Sequence, residues 1–171
     1  MAVQTAPAPV TAPEVATANK LTMIVFSGEM DRLVAAFNIA TGAAASGMDV
    51  TMFFTFWGLQ ALKKHTRTGR SLMGRMLGGF LHDIDGVGPS KMNFGGAGRW
   101  MFKQMMSAKR VTPVAELRQL AIDLGVKMLA CQMSMDVMEI DREDLIDQVS
   151  DVAGVAAMLE VATQSKATLF I

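Results

Sequence analysis

The sequence predicts an α/β domain whose mainly parallel sheet is covered by helices on both faces. Three observations carry that prediction: short, continuously apolar runs of the kind that strands buried on both sides show, helical periodicities that follow them, and turn or cap residues at the boundaries. At 171 residues and 18.4 kDa, with 51% hydrophobic residues, the chain suffices for one domain with a sizeable core and not for two.

The elements follow in order. Met1 to Asn19 holds three of the five prolines and reads as a disordered tail before a single domain over 20–171. Leu21-Thr-Met-Ile-Val-Phe26 is the first strand, ended by Ser27-Gly28. From Asp31, Leu33, Val34, Phe37, Ile39 and Ala40 recur at helical spacing, and Gly47 tolerates the left-handed stop. Val50 to Phe56 is a second strand, rich in aromatic and β-branched residues, and Leu59 to Lys64 makes one or two helical turns. Thr112-Pro113 opens a helix, with Thr as cap and Pro at the first helical position, that ends at Gly125. Val126 to Cys131 is a strand, Ser134 and Asp136 form a polar break, Glu143 to Val149 a short helix, Val152 to Ala162 a packed helix, and Ala167 to Ile171 the last strand. Strands alternating with helices at this spacing need crossovers, and hence a parallel sheet. The longest apolar stretch, Val50 to Leu62, is too short to span a bilayer.

Sixteen Lys and Arg balance sixteen Asp and Glu, so bulk charge gives no support to nucleic-acid binding. The balance hides an asymmetry. Between Lys63 and Arg110 ten basic residues face only Asp83 and Asp85, whereas from Val111 to Ile171 four bases face ten acids. The basic region, with an insertion over 68–110, holds Leu72, Met73, Met76, Leu77, Phe80 and Leu81 at helical spacing, a glycine-rich stretch, then Trp100, Met101, Met105 and Met106. Two amphipathic helices around a flexible loop are expected.

Cys131, the single cysteine, is the leading candidate for chemistry. It makes no internal disulfide and no cysteine-rich zinc site, and a reducing, cytoplasmic compartment is expected. Its predicted place is the carboxyl end of a strand, the edge at which open parallel sheets put their sites, and a following helix would favour the thiolate. The competing reading is a buried small hydrophobe, and the residues alone leave both open. His65 and His82 have no clustered ligands beside them, so no metal is expected. Gly86-Val-Gly88 runs into Pro-Ser-Lys instead of completing a dinucleotide fingerprint, which weighs against a flavin or nucleotide site, and no cofactor is expected. Sixteen methionines suit adaptable packing better than copper binding.

The run Gly125-Val-Lys-Met-Leu-Ala-Cys131-Gln-Met-Ser-Met-Asp-Val-Met138, with Phe53-Phe-Thr-Phe-Trp-Gly-Leu59 upstream, resembles the DsrE/DsrF-like family, and most closely its DsrE-like branch that carries a peroxiredoxin label. The resemblance covers roughly Lys20 to Ile171. It implies a three-layer sandwich, flavodoxin-like and DsrEFH-like in type, and a sulfur-relay role. In that role Cys131 accepts sulfane sulfur as a persulfide and passes it to a small sulfur-carrier or rhodanese-like protein. The chain departs from some relatives in having no cysteine near Ala121, and its Gly86 to Gly98 segment replaces a proline- and methionine-rich loop.

Around Cys131, Ser134 and Gln132 are candidate supports, with Ser27 and Gly28 at the same sheet edge, while Asp136 reads as structural. Arg99, Lys103, Lys109 and Arg110 are the candidate partner-binding residues, and the apolar faces of the basic segment predict a homo-oligomer. The alternative function is a non-enzymatic docking module whose basic segment meets an acidic partner or, peripherally, an anionic membrane.

Overall fold

The computed structural model describes residues 18–64, 67–91 and 96–171, so the tail up to Thr17, His65 and part of the glycine-rich stretch lie outside the description. Five strands, β1 (Ala18–Val25), β2 (Asp49–Phe54), β3 (Lys127–Cys131), β4 (Asp151–Ala153) and β5 (Ser165–Phe170), form one sheet in the order β4-β3-β2-β1-β5. Every neighbouring pair is parallel, with Ile24 opposite Phe53, Phe53 opposite Leu129, and Cys131 opposite Ala153. The helices are α1 (Met30–Ala45), α2 (Leu72–Phe80), α3 (Ala97–Ala108), α4 (Val114–Asp123), α5 (Gln132–Met138) and α6 (Val155–Thr163).

The period of two along each strand divides the apolar residues between unequal layers. Leu21, Met23, Val25, Met52, Phe54, Met128 and Ala130 join Leu33, Phe37 and Ala40 of α1 and Leu117 and Ala121 of α4 in the main core. Full burial of a side chain such as Phe37 contributes about 1.5–3 kcal/mol, which makes this face the anchor of the fold. The alternate residues Ile24, Phe53, Leu129, Cys131 and Ala153 form a small second cluster, into which α6 inserts Met158. The third layer is thin: of α6 only Met158 is buried, while Val155 is 48% and Leu159 52% exposed.

α1 ends where it was expected to, because Gly47 takes φ +80 and lets the Gly47 and Met48 amides turn back onto the Ala44 and Ala43 carbonyls. Gly125 closes α4 in the same way at φ +77. Several expectations need correction. β2 stops at Phe54 instead of Phe56, since Phe56 turns to φ 45 and opens a 3-10 helix, Phe56–Leu62. Gly58 permits that turn, for a Cβ there would lie 2.1 Å from the Val25 carbonyl oxygen. Thr112 does not cap α4; Pro113 occupies the N-cap without a side-chain bond. The polar break after Cys131 is already helix α5, the helix expected over 143–149 is a single 3-10 turn, Arg142–Asp144, and the first residues of the expected 152–162 helix are instead strand β4.

Helices α2 and α3 lie in the basic segment and leave much of their apolar surface in solvent, with Leu72 86%, Met73 74% and Trp100 68% exposed. Among the described residues no helix is long and apolar enough to cross a membrane.

Candidate functional site around Cys131

Cys131 is the last residue of β3 and the N-cap of α5. The parallel register points its side chain, like that of Leu129, toward the thin layer, where Phe53, Ala153 and Met158 enclose it and leave it 1% exposed. The thiol thus stands at the carboxyl edge of the sheet, as expected, but covered.

Beside it, Ser134 is fully buried in α5, and its hydroxyl shares a 2.8 Å hydrogen bond with the hydroxyl of Thr55, the residue that follows β2. A buried hydroxyl needs such a partner, so this pair fixes α5 against the exit of β2. Thr55 was not singled out in the sequence; alternation along β2 identifies core positions but not what a residue just beyond the strand will face. Gln132 is exposed and donates Nε2 to the exposed Asp136 Oδ1 at 2.8 Å. Met133 and Val137 complete an exposed apolar edge of α5, at 47% and 65% exposure.

Ser27 and Gly28 sit elsewhere, at the exit of β1. Ser27 is buried and donates its hydroxyl to Glu29, and a Cβ on Gly28 would approach the Trp57 carbonyl oxygen to 2.5 Å. The structure therefore pairs Ser134 with Thr55 near Cys131 and puts Ser27 and Gly28 with the start of the 3-10 helix.

The far end of α5 reaches the basic segment. Glu139 leaves the helix in the left-handed region, φ 49, and its carboxylate accepts the backbone amides of Arg70 (2.5 Å) and Ser71 (2.7 Å) and the Ser71 hydroxyl. Those bonds, from Ser71 above all, hold its carboxyl below the usual range. Arg70 also forks onto Asp141. Ser71 is the N-cap of α2 and accepts the Gly74 amide at 2.9 Å, so the helix that starts at Cys131 and the first helix of the basic segment share one polar clasp. Gly74 makes room for it, since a Cβ there would lie 2.1 Å from Glu139 Oε2.

Of the four candidate partner residues, two are tied down. Arg99 donates Nη1 to the Gly86 carbonyl at 2.6 Å, and Lys103 donates Nζ to the Asp85 carbonyl at 2.8 Å. Lys109 and Arg110 are exposed at the end of α3. Lys63, at the root of the segment, is only 2% exposed and donates to Thr68 Oγ1 (3.3 Å) and the Leu81 carbonyl (3.1 Å), with burial pushing its ammonium pKa down. Among the described residues no three His, Cys, Asp or Glu side chains gather in a way that could hold a metal ion.

Comparison with known proteins agrees with this architecture. The E. coli ychN protein superposes with a TM-score of 0.53 at 10% identity, over 89% of this chain and 98% of that one. Protein MTH1491 of Methanobacterium thermoautotrophicum, described as of unknown function, gives 0.51 at 13% identity over the same shares. By sequence, the uncharacterized protein YrkE of Bacillus subtilis is 39% identical over 155 residues, 89% of this chain and 96% of its own. The sulfur carrier protein DsrE2 of Allochromatium vinosum is 36% identical over 156 residues, 89% of this chain and 98% of its own. The model of the DsrE/DsrF/DrsH-like family matches residues 17–170, which with the parallel sheet and its three layers makes this chain a member of that family.

Proposed function

We propose that the protein is a sulfur carrier in a sulfur relay, with Cys131 as both acceptor and donor. The observation that carries the reading is the position of the only thiol in the chain, at the junction of β3 and α5 on the thinly covered face, in a family that includes a sulfur carrier protein. In the first step the Cys131 thiolate attacks the sulfane sulfur of a persulfide donor; an Sγ–S bond forms, the donor's S–S bond breaks, and the donor leaves as a thiolate that takes up the proton. In the second step an acceptor thiolate attacks the outer sulfur and Cys131 departs as thiolate. Oxidation states balance across the exchange, so it needs no metal or electron carrier. With one cysteine the persulfide cannot collapse into an internal disulfide. The cover over Sγ must open for either step, and Met158 of α6 is the one helix side chain among the buried residues clustered with it.

Intact mass after incubation with polysulfide or thiosulfate tests the reading. One sulfur atom is expected to add and to be removed by reductant. Loading that persists in Cys131→Ser, or no loading of the native chain with Cys131 shown to be open to alkylation, refutes it.

A second reading, docking through the basic segment, is favoured by the exposure of Leu72, Met73, Met76 and Trp100 beside Arg75, Lys109 and Arg110. Partner choice in the relay rests on this segment: exposed apolar side chains on helices that also carry cations suit an acidic carrier or rhodanese-like protein, and steering by such charge acts on encounter rate.

A further inference from the structure

We propose that the protein has a second ligand site, distinct from Cys131: a cavity of about 530 Å³ at the exit of β1 that binds a small organic carboxylate with a flat or apolar body. Its place follows from the topology. β1 and β2 are parallel neighbours, so the chain leaves both at the same edge of the sheet, and residues that follow each strand line the cavity. Gly28 and Glu29 supply one wall, Trp57 and Gln60 of the 3-10 helix a second, and His82, Gly86 and Arg99 of the basic segment a third. None of the lining residues comes from β3, α5 or α6, the elements around the thiol.

The walls are built by close contacts that exclude side chains. A Cβ on Gly28 would lie 2.8 Å from Gln60 Nε2, and one on Gly86 would lie 2.5 Å from the His82 Cβ. The cavity is thus shaped by backbone packing before any ligand arrives, and its volume falls within the about 300–1,000 Å³ of small-molecule sites. The lining carries one carboxylate and one guanidinium, and the two are differently engaged. Glu29 already receives the Ser27 hydroxyl and has Arg32 at 3.9 Å, whereas Arg99 spends one nitrogen on a neutral carbonyl and keeps further guanidinium donors. A guanidinium held in place by one bond is set up to take a carboxylate in a planar fork. Trp57, 44% exposed on the rim, offers a flat surface for the ligand's body. The 3-10 helix that provides Trp57 and Gln60 also packs against α5, so occupancy of the cavity and the state of Cys131 share an element.

The experiment uses the full chain carrying Trp100→Phe, which makes Trp57 the only indole. Its fluorescence is titrated with hippurate, an aromatic acyl-glycine, and with the neutral amide of the same compound. A saturable change is expected with hippurate, at least tenfold tighter than with the amide. Arg99→Ala in that background should weaken hippurate at least tenfold and Arg99→Lys less, with Lys127→Ala, at the other end of the sheet, unchanged. The absence of a saturable response, or equal response to acid and amide, overturns the proposal without reference to any variant. If Arg99→Ala retains its circular dichroism and binds hippurate as before, the site is not the one described.

Discussion

Cys131 is buried in one cluster with Phe53, Ala153 and Met158, and a thiol so enclosed reacts no faster than its cover opens. Met158→Ala should therefore raise the rate of Cys131 alkylation by iodoacetamide about tenfold or more, since truncating a buried Met costs about 2 kcal/mol or more and each 1.4 kcal/mol is a factor of ten. Unchanged labelling would mean that access runs by another route. The Thr55–Ser134 pair makes a different prediction. Thr55→Val leaves the buried Ser134 hydroxyl without its partner, at a cost of about 1–3 kcal/mol, and Tm should fall by roughly 2 °C or more. Ser134→Ala in the Thr55→Val background should cost less than it does alone, because the two hydroxyls act as one unit. A double-mutant cycle by thermal denaturation reads this directly.

At the scale of elements, the clasp between α5 and α2 is the feature with a pH signature. The Glu139 carboxyl is depressed below its ordinary value of 4.5 by the Ser71 and Arg70 bonds. A carboxyl whose folded pKa is lowered stabilises the clasp above about 4.5, and that contribution is lost as pH falls through the depressed folded value. The protection of the α2 amides against hydrogen exchange, taken relative to the intrinsic rate at each pH, should therefore fall below pH 4.5, and Glu139→Gln should lower it at neutral pH while leaving α1 protected. Equal exchange in the variant and the native chain would show that α2 does not depend on Glu139. β1, β2, β3 and β5 were legible from their apolar runs, and α1 from its spacing and Gly47. β4 was not, because three residues carry no period and Asp151-Val-Ala reads equally as the start of the helix that follows. α5 reads locally as a break, since Ser134, which propensity assigns to caps and turns, is buried mid-helix and bonded to Thr55.

The whole molecule divides its charge, and the basic segment carries the two most exposed of its large apolar side chains, Leu72 at 86% and Met73 at 74%. Reversal at Lys109 and Arg110 avoids the backbone ties of Arg99 and Lys103, and should slow sulfur transfer to an acidic protein acceptor severalfold while loading of Cys131 by polysulfide stays the same. The native transfer rate should fall with added salt, and the variant's less so. Parallel loss of both rates would assign the two residues to the fold. Self-association through α2 and α3 predicts a mass above 18.4 kDa by light scattering at micromolar concentration, and Leu72→Glu with Trp100→Glu should return it to that value.

Local pattern by itself determined the α/β class, the strand on which Cys131 ends and the two amphipathic stretches of the basic segment. Each of these is written in residues adjacent or a few positions apart, where the 2.0 and 3.6 residue periods and the turn residues act. Tertiary structure alone decided that Met158 shares a buried cluster with Cys131, that Thr55 partners Ser134 across 79 positions, that Glu139 clamps Ser71 across 68, and that Gly28, Gln60 and Arg99 share one cavity. Such contacts depend on strand order and crossover, which bring distant residues to one edge of the sheet; no spacing along the chain encodes them.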